Sequence, residues 1–247
     1  MSDRMSVPPS PHGDEQSRRR RVPAARNVAR MRDVRAPRPA TFSRAAWLVD
    51  VLVERVVNGT YAQGQRIREA ELQEEFGFSN GPIREALQQL VARGLATRAP
   101  WQGVRVVEHT REDVVALFEL RGALLERAAE LAASRVDDDD RRSAEVLRAT
   151  LRRKFAASRA GHQPPVTGDT TEWVLAVARN RYISEIWHQT MLKSRIFVYD
   201  AMKRTAGART EPLIGRLVDA ILAGDSDSAR LAARAFTRQV LVDIGLG

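Results

Sequence analysis

The chain has 247 residues, no cysteine and a formal net charge of +9. That length leaves room for one large domain or two small ones, each with a packed core. The missing cysteine excludes disulfides and thiolate metal sites and suits a cytoplasmic protein. No stretch nears the roughly 20 consecutive apolar residues that cross a bilayer. No apolar run follows the basic amino terminus as a signal peptide would require, so neither a membrane partner nor a leader is expected.

The charge is unevenly placed. Residues 1–43 carry a net +6, residues 44–107 a net +1 and the remainder a net +2. Most of the basic excess therefore lies in the first 43 residues and is not by itself an argument for a nucleic-acid surface on the folded part. Those residues are rich in Pro, Arg and Ser, and positions 18–21 are four consecutive arginines. Such a segment buries too little apolar surface to offset its ordering entropy, and a disordered basic tail is expected. It would either add sequence-independent attraction to phosphates or be a solvated extension with no specific role.

A helix is expected over 44–58, where Leu48, Val51, Leu52 and Val56 share a face and Gly59 can end it. Trp47 reads as a core or dimer contact. The next stretch, 67–107, reads IREAELQEEFGFSNGPIREALQQLVARGLATRAPWQGVRVV. Leu72 and Phe76 lie four apart on a short helix that Gly77 ends by reaching the left-handed conformation of a tight turn. A second helix follows, capped by Ser79 or Gly81, with Pro82 in its first turn. Its apolar stripe is Ile83, Ala86, Leu87, Leu90 and Val91, which turns Arg84, Gln88 and Gln89 outward. These side-chain types can read base edges in a major groove. Gly94-Leu95 closes the helix, and 96–99 and 104–107 read as two short strands joined by a turn holding Pro100 and Gly103. The pattern is a winged helix-turn-helix.

Residues 108–110 read as a hinge, and beyond them every pattern is helical. The stretch 111–135 carries Val114, Leu117, Phe118, Leu124, Leu125, Ala128 and Leu131 at helical spacing, with Arg121 interrupting the stripe. Asp137 to Asp140 make an acidic start, favourable to the helix dipole, for a helix reaching about 160. A loop with Pro164-Pro165 follows over 161–168. Helices are then expected over 171–178, 182–203, 211–223 and 226–244, the last capped by Asp225 or Ser226. The fold class is mainly α: a winged helix-turn-helix over 44–107 and an all-α helical bundle over 111–247.

The run Gly64-Gln65-Arg66-Ile67, then Glu71-Leu72, Gly77-Phe78-Ser79, Pro82-Ile83-Arg84-Glu85-Ala86-Leu87 and Gly94-Leu95 resembles the DNA-binding domain of GntR-family transcription regulators. Several spaced elements agree in order and distance. The second half resembles the all-α effector domain of the FadR branch, often called FCD. This rests on Phe118-Glu119-Leu120-Arg121 with Leu125-Glu126, on Asn180, and on Asp219-Ala220-Ile221 with Gly224-Asp225. The resemblance implies double-stranded DNA as partner, with contacts from Arg66, Ser79, Asn80, Arg84, Gln88, Gln102 and Gly103. Two departures stand out: Asn80-Gly81 where the family often has Arg-Thr, and Gln102 where a basic residue often tips the wing.

Many FCD domains hold a divalent metal through one Asp and three His. Aligned on Asn180 and Gly224-Asp225, those positions fall near Thr167, Thr171, Ile214 and Phe236, none able to supply the expected imidazole or carboxylate; Asp169 lies close enough to be a remnant ligand. The chain's histidines are His12, His109, His162 and His188, and no three of them suit the site. No metal or other cofactor is expected. Ile214 and Phe236 imply either a more apolar effector pocket, with Arg121, Thr171, Arg179 and Arg195 at its edges, or one filled by side chains. Arg121 would anchor a ligand or pair with Glu126 or Glu172. No nucleophile elbow, P-loop or histidine cluster supports an enzyme. The expectation is a homodimeric, ligand-responsive repressor on a palindromic operator. The alternative is an interaction protein that keeps the fold without operator binding.

Overall fold

The computed structural model describes residues 43–99, 103–160, 168–205 and 208–247. The expectations for the tail before residue 43, for Gln102 and the Pro100 turn, and for the Pro164-Pro165 loop with Thr167 lie outside the described residues.

Three helices and a small sheet build the first core. Helix α1 (Arg44–Val57) buries Leu48, Leu52 and Val56, as its spacing predicts, together with Val49, Val53 and Val57, while Val51, expected on the same face, is only partly buried. Strand β1 (Arg66–Ile67), α2 (Glu69–Phe76), α3 (Asn80–Ala92), β2 (Ala96–Ala99) and β3 (Gly103–Val106) follow. The sheet order is β1-β3-β2, all antiparallel, with Ile67 opposite Val104 and Thr97 opposite Arg105. Strand β1 was not expected, because a two-residue strand leaves no periodicity to read. The wing's returning strand spans 103–106 rather than 104–107, and one further bond, from the Val107 N–H to the Leu95 carbonyl at 3.1 Å, continues the same pairing past its end. Ile67, Leu72, Ile83, Leu87, Leu90, Leu95 and Val104 interlock in this core, each 3 % exposed or less. Trp47 packs edge-on against Phe76 and Phe78 at 5.5 and 5.9 Å between ring centres, a structural role.

The second half consists of α4 (Arg111–Arg135), α5 (Asp138–Arg159), α6 (Gly168–Ala178), α7 (Arg181–Thr205), α8 (Glu211–Leu222) and α9 (Ser226–Asp243). Helix α4 is the axis, packed mainly against α9 and α6. Ala128, Ala129, Ala132 and Ala133 are all buried along it, and small side chains let neighbouring backbones come close. Two capping boxes fix helix starts. Thr110 and Asp113 exchange bonds of 2.9 and 3.1 Å at α4, and Asp137 and Asp140 exchange bonds of 3.1 and 2.9 Å at α5. Asp225, not Ser226, caps α9 by accepting from the Ser228 N–H at 2.9 Å. Helix α6 begins at Gly168, three residues before the apolar pattern announces it.

Helix α7 belongs to both cores. Trp187 and Phe197 are buried in the second, whereas Leu192 and Tyr199 pack against the first. Arg195 reaches Glu54 of α1 at 3.5 Å. Within 108–110 the His109 N–H donates to Gln63 Oε1 at 3.0 Å, and its ring meets Phe197 edge-on at 5.3 Å.

Candidate functional site

The turn between α2 and α3 aims the second helix. Gly77 sits at φ +64°, where a side chain would be strained. Ser79 holds the extended N-cap position without a side-chain cap bond, and Asn80 Oδ1 accepts from Gln73 Nε2 of α2. Burial of Ile83, Ala86, Leu87 and Leu90 leaves Ser79, Asn80, Arg84 and Gln88 exposed, and the last three recur every fourth residue along one face. The structure thus brings these four together as a surface that can enter a groove.

Arg84 is not loose on that surface. Its Nε donates to Glu69 Oε2 at 2.9 Å, and its side chain is 61 % exposed against 33 % for Glu69. Glu69 is the first residue of α2, fifteen positions away, and sequence reasoning missed the pair because no spacing rule links residues across a turn. Beside it opens a groove of about 770 Å³ whose rim includes Arg66, Arg68, Glu69, Arg98 and Gly103. Gly103 lies at φ +74°, and a Cβ there would stand 3.5 Å from Arg66 Nε and Nη2, so the guanidinium lies over the wing glycine. Arg66 and Gly103 therefore meet, flanking the α3 face.

The residues expected around an effector are spread more widely. Arg121 is 8 % exposed, its guanidinium carbon 3.7 Å from the Trp187 ring centre. It donates to the Trp187 carbonyl at 3.1 Å and to Thr190 Oγ1 at 2.8 Å. Burial lowers its pKa to about 10, offset in part by the charge of Glu172. The expected partner Glu126 instead takes Arg234 at 2.8 and 3.0 Å, and Glu172 takes His188 Nε2 at 2.9 Å. Arg179, at φ +48°, ties the end of α6 to the start of α5 through Asp137 and Asp140 at 2.5 and 2.9 Å. Arg195 faces α1 instead. The fourteen helical rises between residues 181 and 195 span roughly 21 Å, so Arg179 and Arg195 are not brought together. Thr171 Oγ1 donates to the Gly168 carbonyl at 3.0 Å, while Ile214 and Phe236 lie in the second core, 2 and 6 % exposed.

The profile of "Bacterial regulatory proteins, gntR family" matches residues 45–106, and that of the FCD domain matches residues 116–239. The chain belongs to the GntR family and carries an FCD domain. It is accordingly a DNA-binding transcription regulator, and neither domain is that of an enzyme family.

Among curated relatives, the GntR chain is 34 % identical over 89 residues to the uncharacterized HTH-type transcriptional regulator YdhC of Bacillus subtilis, covering 36 % of this chain and 40 % of that protein. It is 26 % identical over 215 residues to the probable D-xylose utilization operon transcriptional repressor of Paenarthrobacter nicotinovorans, covering 84 % of this chain and 90 % of that one. Its fold is similar to a crystal structure of a putative GntR transcriptional regulator from Rhodococcus, with a TM-score of 0.64, 21 % identity and coverage of 82 and 98 %. Escherichia coli McbR/YncC gives 0.64 at 18 % identity, covering 83 and 98 %.

The metal that many FCD domains hold does not fit this GntR chain. At the aligned positions Thr171 is bonded to its own helix, and Ile214 and Phe236 offer no donor atom. The nearby carboxylate Asp169 is paired with Lys154. Among the described residues no group of three or more His, Cys, Asp or Glu is placed to hold an ion. No helix among them is long and apolar enough to cross a membrane.

Proposed function

We propose that this GntR regulator is a ligand-responsive repressor of the FadR branch, acting in the cytoplasm as a homodimer on a palindromic operator. Arg84 and Gln88 would read base edges, Asn80 and Ser79 would contact the backbone at the helix start, and Arg66, Gln102 and Gly103 would hold the adjacent phosphates. The observation that carries this is the single exposed face bearing Asn80, Arg84 and Gln88 beside the Arg66–Gly103 wing. A repressor is favoured by the relative named for D-xylose utilization, whose similarity runs through both domains.

Ligand response has a physical route. Helix α7 holds Trp187 against Arg121 in the second core and Leu192, Arg195 and Tyr199 against the first, so a ligand that moves its first half acts on the DNA-reading head. Of the six residues expected at the pocket, Arg121 supplies the buried charge that an acidic group would meet. A pair of identical heads related by a two-fold axis calls for an inverted repeat in the DNA.

Analytical ultracentrifugation, alone and on duplexes recovered by binding, tests the assembly. Two chains on an inverted repeat are expected. One chain on an asymmetric site would overturn the dimeric reading.

A further inference from the structure

We propose that Glu69 is a positioning residue for base recognition: its carboxylate holds the Arg84 guanidinium so that the two terminal nitrogens face the DNA as a fork. This rests on the reading that Arg84 contacts a base. The bond at 2.9 Å uses Nε and leaves the end-on pair of nitrogens free. That pair matches the O6 and N7 acceptors of guanine, a bidentate contact that depends on the plane of the guanidinium as much as on its charge. An arginine free to turn would lose rotamer freedom on reaching the base; one already braced loses less.

The arrangement around the pair agrees with a positioning role. Glu69 heads α2, a different element from α3, so the brace fixes Arg84 against the body of the domain rather than along its own helix. Glu69 also lines the groove with Arg66, Arg68 and Arg98, of which Arg68 is paired with Glu71 at 2.8 Å. A negative charge among these arginines weakens sequence-independent attraction to phosphate. Retaining it lowers non-specific affinity while raising discrimination, a combination that favours specificity. An exposed pair of this kind contributes little to folding stability, so stability does not account for it.

These two effects have opposite signs and can be separated. The full chain, Glu69→Ala, Glu69→Gln, Arg84→Ala and the double variant would be presented with a duplex library of randomised core. Selection strength would be read by sequencing, and affinity for a fixed random-sequence duplex by titration. Glu69→Ala is expected to bind the random duplex as tightly as the wild type or more tightly, while discrimination falls roughly tenfold, part of the range that one bidentate base contact provides. Glu69→Gln keeps an acceptor for Nε, so it should show the same gain on random duplex with discrimination largely kept. In the Arg84→Ala background, removing Glu69 should leave discrimination unchanged.

A parallel fall of both readouts in Glu69→Ala, with a lowered melting temperature, would make Glu69 a structural residue and overturn the proposal. Equal gains on all sequences would make it a repelling charge only. A wild type that enriches nothing would remove the base-reading role of Arg84, and the proposal with it; enrichment that survives Glu69→Ala overturns the proposal alone.

Discussion

Replacing Arg121 probes why a guanidinium is held inside an apolar bundle. Burial lowers its pKa to about 10, which corresponds to roughly 3 kcal/mol against keeping the charge there. The stack on Trp187 returns about 2 kcal/mol when desolvated, and each of its two hydrogen bonds returns roughly another 1.5 to 3. The hydrogen-bond figures are net of lost hydration and so are not added against that cost, and replacing a buried charged group by a well-packed apolar side chain of similar volume is often close to neutral. Both acceptors are neutral, and Glu172, whose charge acts on Arg121, is bonded to His188. Arg121→Met fills most of the same volume without the charge, and its stability should lie within about 1 kcal/mol of the wild type. Arg121→Ala removes the packing as well and should cost about 2 to 4 kcal/mol. Urea unfolding followed by tryptophan emission measures both, with an unchanged slope as the check that the same surface is exposed. A destabilisation above about 3 kcal/mol in the Met variant would show the stacked guanidinium to be a net stabiliser. The reasoning that it is kept for a ligand would then fail.

His109 gives a pH-dependent expectation. Burial lowers its pKa below 6.5, with Asp113 opposing and Lys193 adding to the shift, and Nε2 has no hydrogen-bond partner among the described residues. The folded state therefore keeps the ring neutral while the unfolded chain takes a proton below about pH 6.5. Stability is full above that value and is lost as pH falls toward the folded pKa. His109→Phe should match the wild type near pH 8 and lose less stability down to pH 5; equal slopes in thermal melts at both pH values would refute the buried neutral imidazole. Removing residues 1–43, which carry a net +6, should reduce the salt dependence of DNA binding by roughly 0.9 in slope for each phosphate they neutralise, with base preference unchanged. An unchanged slope would mean that those residues neutralise no phosphates.

Much of this architecture was legible because single-sequence periodicity reports burial. Leu48, Leu52 and Val56 on α1 and Ile83, Ala86, Leu87 and Leu90 on α3 are buried as their spacing predicts. The punctuation was legible too: Gly77 and Gly94 lie at positive φ where helices were expected to end, and Asp225 caps α9. Long-range pairing was not. Strand β1 is two residues held by a strand far along the chain, with Ile67 opposite Val104, and the Glu69–Arg84 pair exists only because a turn brings two helices together. Polar residues in the second half were the least legible. Composition marks Arg121, Arg179 and Arg195 alike as cations among apolar neighbours. The fold gives the first an indole face, the second two aspartates and the third a glutamate of the other core.

The most direct test of the account is recovery of bound fragments from the source genome at near-physiological salt, comparing the wild type with Arg84→Ala. The wild type should enrich a shared inverted repeat, and Arg84→Ala should lose about 1 to 3 kcal/mol of discrimination at one base step in each half-site. Equal weakening on every fragment would make Arg84 a phosphate contact. Enrichment of the same repeat by both proteins would contradict the placement of base reading on the Asn80–Arg84–Gln88 face.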